Sequence, residues 1–109
     1  MKRDRPYSRL TLEAARLLGD RVRVARRERR WTLDELAERV GVSAFTMRKV
    51  ERGDPTVGLG VAFEATAIVG LPLFDADNQR RQLEALRLED RLAVLPQSVR
   101  KARRVDNDF

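Results

Sequence analysis

The stretch from Thr32 to Glu51 constrains this chain more than any other. It spells two short helices with almost no chain between them. Thr32 and Glu35 have the spacing of a capping box, in which each side chain satisfies a free backbone donor of the first helical turn. Trp31 precedes the cap and Leu36 lies four positions into the helix, the spacing of a hydrophobic staple. Leu33, Leu36, Ala37 and Val40 supply a buried face. Gly41 ends the helix, since the residue after a helix often needs a left-handed backbone. Ser43 caps a second helix, with Val42 before it and Met47 at the staple position. Ala44 or Phe45, Met47 and Val50 are its apolar positions. Gly53-Asp54-Pro55 then stops the helix and turns the chain.

The flanking sequence reads as helix too. Leu, Ala, Arg and Glu dominate, β-branched residues are scattered, and no hairpin signal occurs. The spacing predicts a first helix over Leu12–Arg29, capped by Thr11 or Ser8, with Ala14, Leu18, Val22 and Ala25 as its apolar stripe. Gly19 interrupts that stripe, so a start near Gly19 or Asp20 is the alternative. A fourth helix containing Leu59, Val61, Ala62, Phe63, Ala65, Ile68 and Val69 is apolar nearly all round. Such a helix is either core or a subunit interface. A fifth is expected over Asp77–Val94, with Leu83, Leu86 and Leu92 as its apolar side and Pro96 at its end. The expected fold is all-α, a four- or five-helix domain over residues 12–95. A flexible basic segment, 1–11, precedes it, and a tail, 96–109, follows. The tail is basic at Arg100-Lys101-Ala102-Arg103-Arg104 and then acidic, ending in Phe109. It lacks a core pattern and is expected to be disordered when free.

Charge is unevenly placed. The 109 residues carry a net +6. Residues 1–53 hold 15 Lys/Arg against 8 Asp/Glu, a balance of +7; residues 54–109 hold 8 against 9, a balance of −1. A basic half suits a polyanion, although a solvated arginine surface has the same composition. The chain contains no cysteine and no histidine. Disulfides and thiolate metal sites are thereby excluded, and the usual general base is missing. The chain is read as not an enzyme and as needing no metal or cofactor. No apolar run approaches the ~18 residues of a membrane span. No apolar stretch follows the basic N-terminus, so no secretion signal is expected. A cytoplasmic location fits both readings.

Two compact helices joined by a glycine turn form a helix-turn-helix, and with a cationic second helix they point to DNA. The major groove admits one helix, whose N-terminal residues approach base edges. Ser43, Ala44, Phe45, Thr46, Arg48 and Lys49 are the candidate base readers. Arg48 can bond guanine O6 and N7 with both arms, and Ala44 or Phe45 can pack on a thymine methyl. Phe45 could equally be core. Thr32, Arg39 and Arg52 are candidate phosphate contacts.

The residues Arg26…Trp31-Thr32-Leu33-Asp34-Glu35-Leu36-Ala37…Gly41-Val42-Ser43…Val50-Glu51-Arg52-Gly53 resemble the Xre-type family, whose members are similar to Cro and phage repressors. The resemblance covers about residues 19–73. It implies a structural ion pair between Arg26 and Glu51. Leu33 stands where the family often has a glutamine that contacts phosphate, and leucine cannot make that hydrogen bond. Gly53-Asp54-Pro55-Thr56-Val57-Gly58-Leu59-Gly60, Gly70-Leu71, Leu95-Pro96 and the closing Asp106-Asn107-Asp108-Phe109 resemble HipB-like antitoxins. That branch implies a homodimer that binds operator DNA, represses its own operon and holds a HipA-like serine/threonine kinase toxin. A free-standing Xre-type regulator or prophage repressor is the alternative. In the antitoxin reading the tail ending in Phe109 docks on the kinase or DNA; the alternative is a segment that only solubilises.

Overall fold

Ser8 opens the first helix, its hydroxyl accepting the Thr11 amide at 3.2 Å. The computed structural model describes residues 7–99 and residue 101. Among them are five helices and no strand: α1 (Arg9–Glu28), α2 (Leu33–Val40), α3 (Ala44–Glu51), α4 (Leu59–Ile68) and α5 (Asn78–Val94). The chain divides after Leu73 into two units, the first holding α1–α4 and the second α5. Residues 9–11, expected in the flexible segment, are helical. Most of the tail, including Phe109, lies outside the described residues.

The first unit is built on a core of Val22, Ala25, Leu36, Ala37, Met47, Val50, Ala65 and Val69. Each of α1–α4 contributes, and Trp31, Leu33, Val40, Val42 and Leu71 pack around the edge. The expected α1 stripe holds at Leu18, Val22 and Ala25 and departs at its start. Ala14 is exposed and Ala15 half-buried, while Gly19, Val22, Ala25 and Arg26 are buried. Gly19 does not break the helix. Its missing side chain lets α1 touch the end of α3: a Cβ there would stand 2.5 Å from the Val50 carbonyl oxygen and 2.6 Å from that of Glu51.

Gly53 answers it from the other chain segment. Its backbone is left-handed at φ 77, and a Cβ would come within 2.5 Å of the Arg16 Cα. Gly41 is left-handed at φ 89 and closes α2, its amide bonding the Ala37 carbonyl at 2.8 Å. The bend between α1 and α2 uses a less expected residue, Arg30, at φ 60.

A buried ion pair ties these pieces together. Arg26 Nε donates to Glu51 Oε2 at 2.7 Å, and Nη2 donates to Oε1 at 3.0 Å. Nη1 donates to the Trp31 carbonyl at 2.9 Å, while the Trp31 amide donates to the Arg26 carbonyl at 3.1 Å. Arg26 therefore fixes both the end of α3 and the turn leading into α2. The hydrogen bond to Glu51 raises the guanidinium pKa despite the opposing cost of burial. Arg23 adds a bond from Nη2 to the Glu51 carbonyl at 3.1 Å. It was not expected from sequence, yet it precedes Arg26 by one helical turn and so shares its face.

In the second unit, Asp77 caps α5 by accepting the Gln79 amide at 2.9 Å. No residue of α5 is buried. Leu83, Leu86 and Leu92 do not share one side, as the sequence spacing had suggested. At ~100° per residue, Leu92 projects about 180° from Leu83.

Gly19→Ala should destabilise the first unit. Helix propensity alone favours alanine by about 1 kcal/mol. Overpacking against fixed backbone should cost about 1–3 kcal/mol and prevail. A higher denaturant midpoint would show that the helices separate freely. Glu51→Ala should strand the Arg26 charge and cost about 3–5 kcal/mol, a large share of a small domain's stability. Thermal unfolding followed by circular dichroism measures it, and an unchanged midpoint would rule out a supporting role for the pair.

Candidate nucleic-acid interface

The site is the outer side of α3. Ser43 starts the helix, its Oγ accepting the Thr46 amide at 3.1 Å and donating to Thr46 Oγ1 at 3.1 Å. One lone pair of Ser43 remains for an outside donor. Met47 and Val50 point into the core, and Glu51 is locked to Arg26. The same helical rotation turns the intervening residues outward. Phe45 is 64 % exposed, so it is not a core residue. Arg48 and Arg52 are exposed; Ala44, Thr46 and Lys49 are half-buried.

The cations of this face have different freedom. Among the described residues the Arg48 side chain has no ion-pair or hydrogen-bond partner, and only its backbone carbonyl is engaged, by the Arg52 amide. Lys49 Nζ lies 3.9 Å from Asp54 Oδ2 and 5.6 Å from the centre of the Phe45 ring. Asp54 is itself fixed, accepting the Thr56 hydroxyl at 2.6 Å and the Thr56 amide at 2.8 Å. Those two bonds, the hydroxyl's first, hold its carboxyl below the usual range, and the charges of Lys49 and Arg52 add to the effect. Lys49 thus has a local anion to leave before it can meet an outside one.

The two helix starts also differ. The α3 first turn contains no acid, so its free amides and positive dipole end are open to an anion. The α2 first turn carries Asp34 and Glu35. Glu35 Oε1 already accepts the Thr32 amide at 2.7 Å, and Thr32 Oγ1 accepts the Glu35 amide at 3.0 Å. Thr32 spends its amide and one hydroxyl lone pair on its own cap, which leaves the hydroxyl hydrogen to donate, although the two neighbouring carboxylates oppose an anion there. Arg39 stacks on Trp31, its guanidinium carbon 4.1 Å from the ring centre; Arg29 lies 5.6 Å from the same ring. The lone tryptophan flanked by arginines was the available sequence signal for that stack.

Among the described residues no cluster of acidic side chains could hold a metal ion, and no helix is long and apolar enough to cross a membrane. On the outer side of α3, an acid-free helix start, an exposed aromatic and an arginine with an unpaired side chain come together. No curated protein and no solved structure matches the sequence. A family model described as a helix-turn-helix domain matches residues 17–76, which contain α2, the glycine turn and α3. Since the match spans more than half of the chain, the protein belongs to the helix-turn-helix domain family.

Proposed function

We propose that this protein is a sequence-specific DNA-binding repressor acting as a homodimer, and the HipB-like antitoxin of a kinase toxin. The observation that carries the DNA reading is the outer face of α3. Its polar and cationic residues point away from the core, while Glu51 pins the helix from behind. In this reading α3 enters the major groove. Arg48 is the principal base reader, able to fork onto guanine, and Phe45 packs on a thymine methyl. Ser43, Ala44, Thr46 and Lys49 complete the base-reading edge. Arg52 takes phosphate, along with the free amides at the start of α3. Thr32 and Arg39 assist as phosphate contacts, through the Thr32 hydroxyl hydrogen and the in-plane N–H groups that the Trp31 stack leaves to Arg39. A twofold dimer doubles the few base pairs that one short helix covers and sets two such helices ~34 Å apart.

The antitoxin role rests on the likeness of the segments after α3 to HipB-like chains. A HipA-like kinase encoded beside this gene is the partner it requires. Co-expression should give a stable complex with that kinase; a neighbourhood without a kinase-like frame would leave a free-standing cytoplasmic regulator.

Binding to the DNA upstream of its own gene should weaken steeply with salt, because neutralised phosphates release counterions. With about six phosphate contacts, affinity should fall about a thousandfold from 50 to 200 mM. Salt-insensitive binding, measured by fluorescence anisotropy, would contradict the DNA reading. Arg48→Ala should cost about 1–3 kcal/mol of discrimination at a single base pair. An unchanged base preference would reassign Arg48 to phosphate.

A further inference from the structure

We infer that α5 pairs with α5 of a second copy, antiparallel across a twofold axis. The inference rests on the homodimer just proposed and names its contact surface. Arg81, Ala85, Leu88 and Leu92 follow one another at spacings of four, three and four, so they line one side of the helix. None of them is buried. Small Ala85 lies in a hollow of about 220 Å³ formed with Phe74, Arg81, Glu84 and Leu88.

Laid antiparallel, the seam matches itself. Leu88 of one copy meets Ala85 of the other and fills the hollow, and Leu92 meets Arg81. The Arg81 guanidinium is held back on its own segment, its Nη1 donating to the Asp75 carbonyl at 2.7 Å and to that of Ala76 at 2.9 Å and its Nη2 to Asn78 Oδ1 at 3.3 Å. Its methylenes are left to cover the facing leucine. The flanks match as well. Glu84 of one copy faces Arg91 of the other on one edge, and Gln82 faces Glu89 on the other edge. Each contact occurs twice by symmetry.

Charge also selects the direction. A parallel pair would set Glu84 against Glu89 and Arg81 against Arg81, both repulsive. Leu83, Leu86 and Val94 project to the opposite side and take no part.

Analytical ultracentrifugation of the full chain tests this, with circular dichroism as the check on folding. The wild type should sediment as a dimer. Glu84→Arg and Arg91→Glu should each weaken the dimer about tenfold, since each sets like charges face to face twice. The double variant, E84R with R91E, should recover wild-type affinity, because the exchanged pairs attract again. Leu88→Glu should give a monomer, and L83E with L86E should remain dimeric. A monomeric wild type would remove the dimer reading altogether. A dimeric wild type whose affinity is untouched by the single charge reversals, or whose reversals are not rescued in the double variant, would overturn the α5 pairing alone. Should Leu88→Glu fail to fold, the charge exchange still decides, because its residues are exposed.

Discussion

A carboxylate shielded from water on nearly every side organises the first unit. The Glu51 side chain is 4 % exposed, and both of its oxygens are engaged by Arg26. Burying two ions is costly, and their mutual attraction offsets the cost only when geometry and remaining hydrogen bonds are complete. Here each nitrogen of the guanidinium makes a bond, the third going to the Trp31 carbonyl, and Arg23 bonds the Glu51 backbone. One charge thereby couples α1, the bend into α2 and the end of α3. Such a pair is often no more stabilising than apolar residues of the same volume, and here it adds a directed contact between α1 and the end of α3. Apolar residues could fill the same volume, but they would not dictate which turn of α1 meets which turn of α3.

The glycines serve the same arrangement by another means. Gly19 and Gly53 bring backbone against backbone, so α1 and the α3 terminus meet without intervening side chains. Close approach shortens the reach that Arg26 needs, and the ion pair in turn keeps the close approach in register. The division of labour on α3 follows. Its inner residues are committed to the scaffold, and its outer residues are left to chemistry.

Most of this first unit was legible in the sequence because local signals and tertiary packing agree there. Thr32-x-x-Glu35, Gly41 and Ser43 act within a single turn of chain, and such short-range chemistry survives in any context. What escaped was set over longer range. Ala14 and Ala15 are equally apolar, so only packing against α3 and α4 decides which turns inward. Gly19 read as a helix breaker because its partner carbonyls lie some thirty residues away. Arg30 gave no sign of a left-handed bend, since nothing in an arginine codes for one. The Asp54 hold on Lys49 depends on how the chain turns after α3. In α5 the error was arithmetic: leucine content suggested one apolar side, while their spacing places Leu92 opposite Leu83.

The ion pair stands at the far end of α3 from Ser43, Ala44, Phe45 and Thr46, with Arg48 and Lys49 between. Eight residues of helix make a rod of ~12 Å, with its hinge at Glu51, its tip at Ser43, and Met47 and Val50 seating it between. Rocking that hinge by ~10° would carry the tip about 2 Å sideways, beyond the ~0.5 Å within which a binding constellation must be held. The pair therefore acts as the fulcrum of a lever. In the proposed DNA reading, substitutions around Arg23 and Arg26 would blur sequence discrimination by loosening the aim of side chains they never touch.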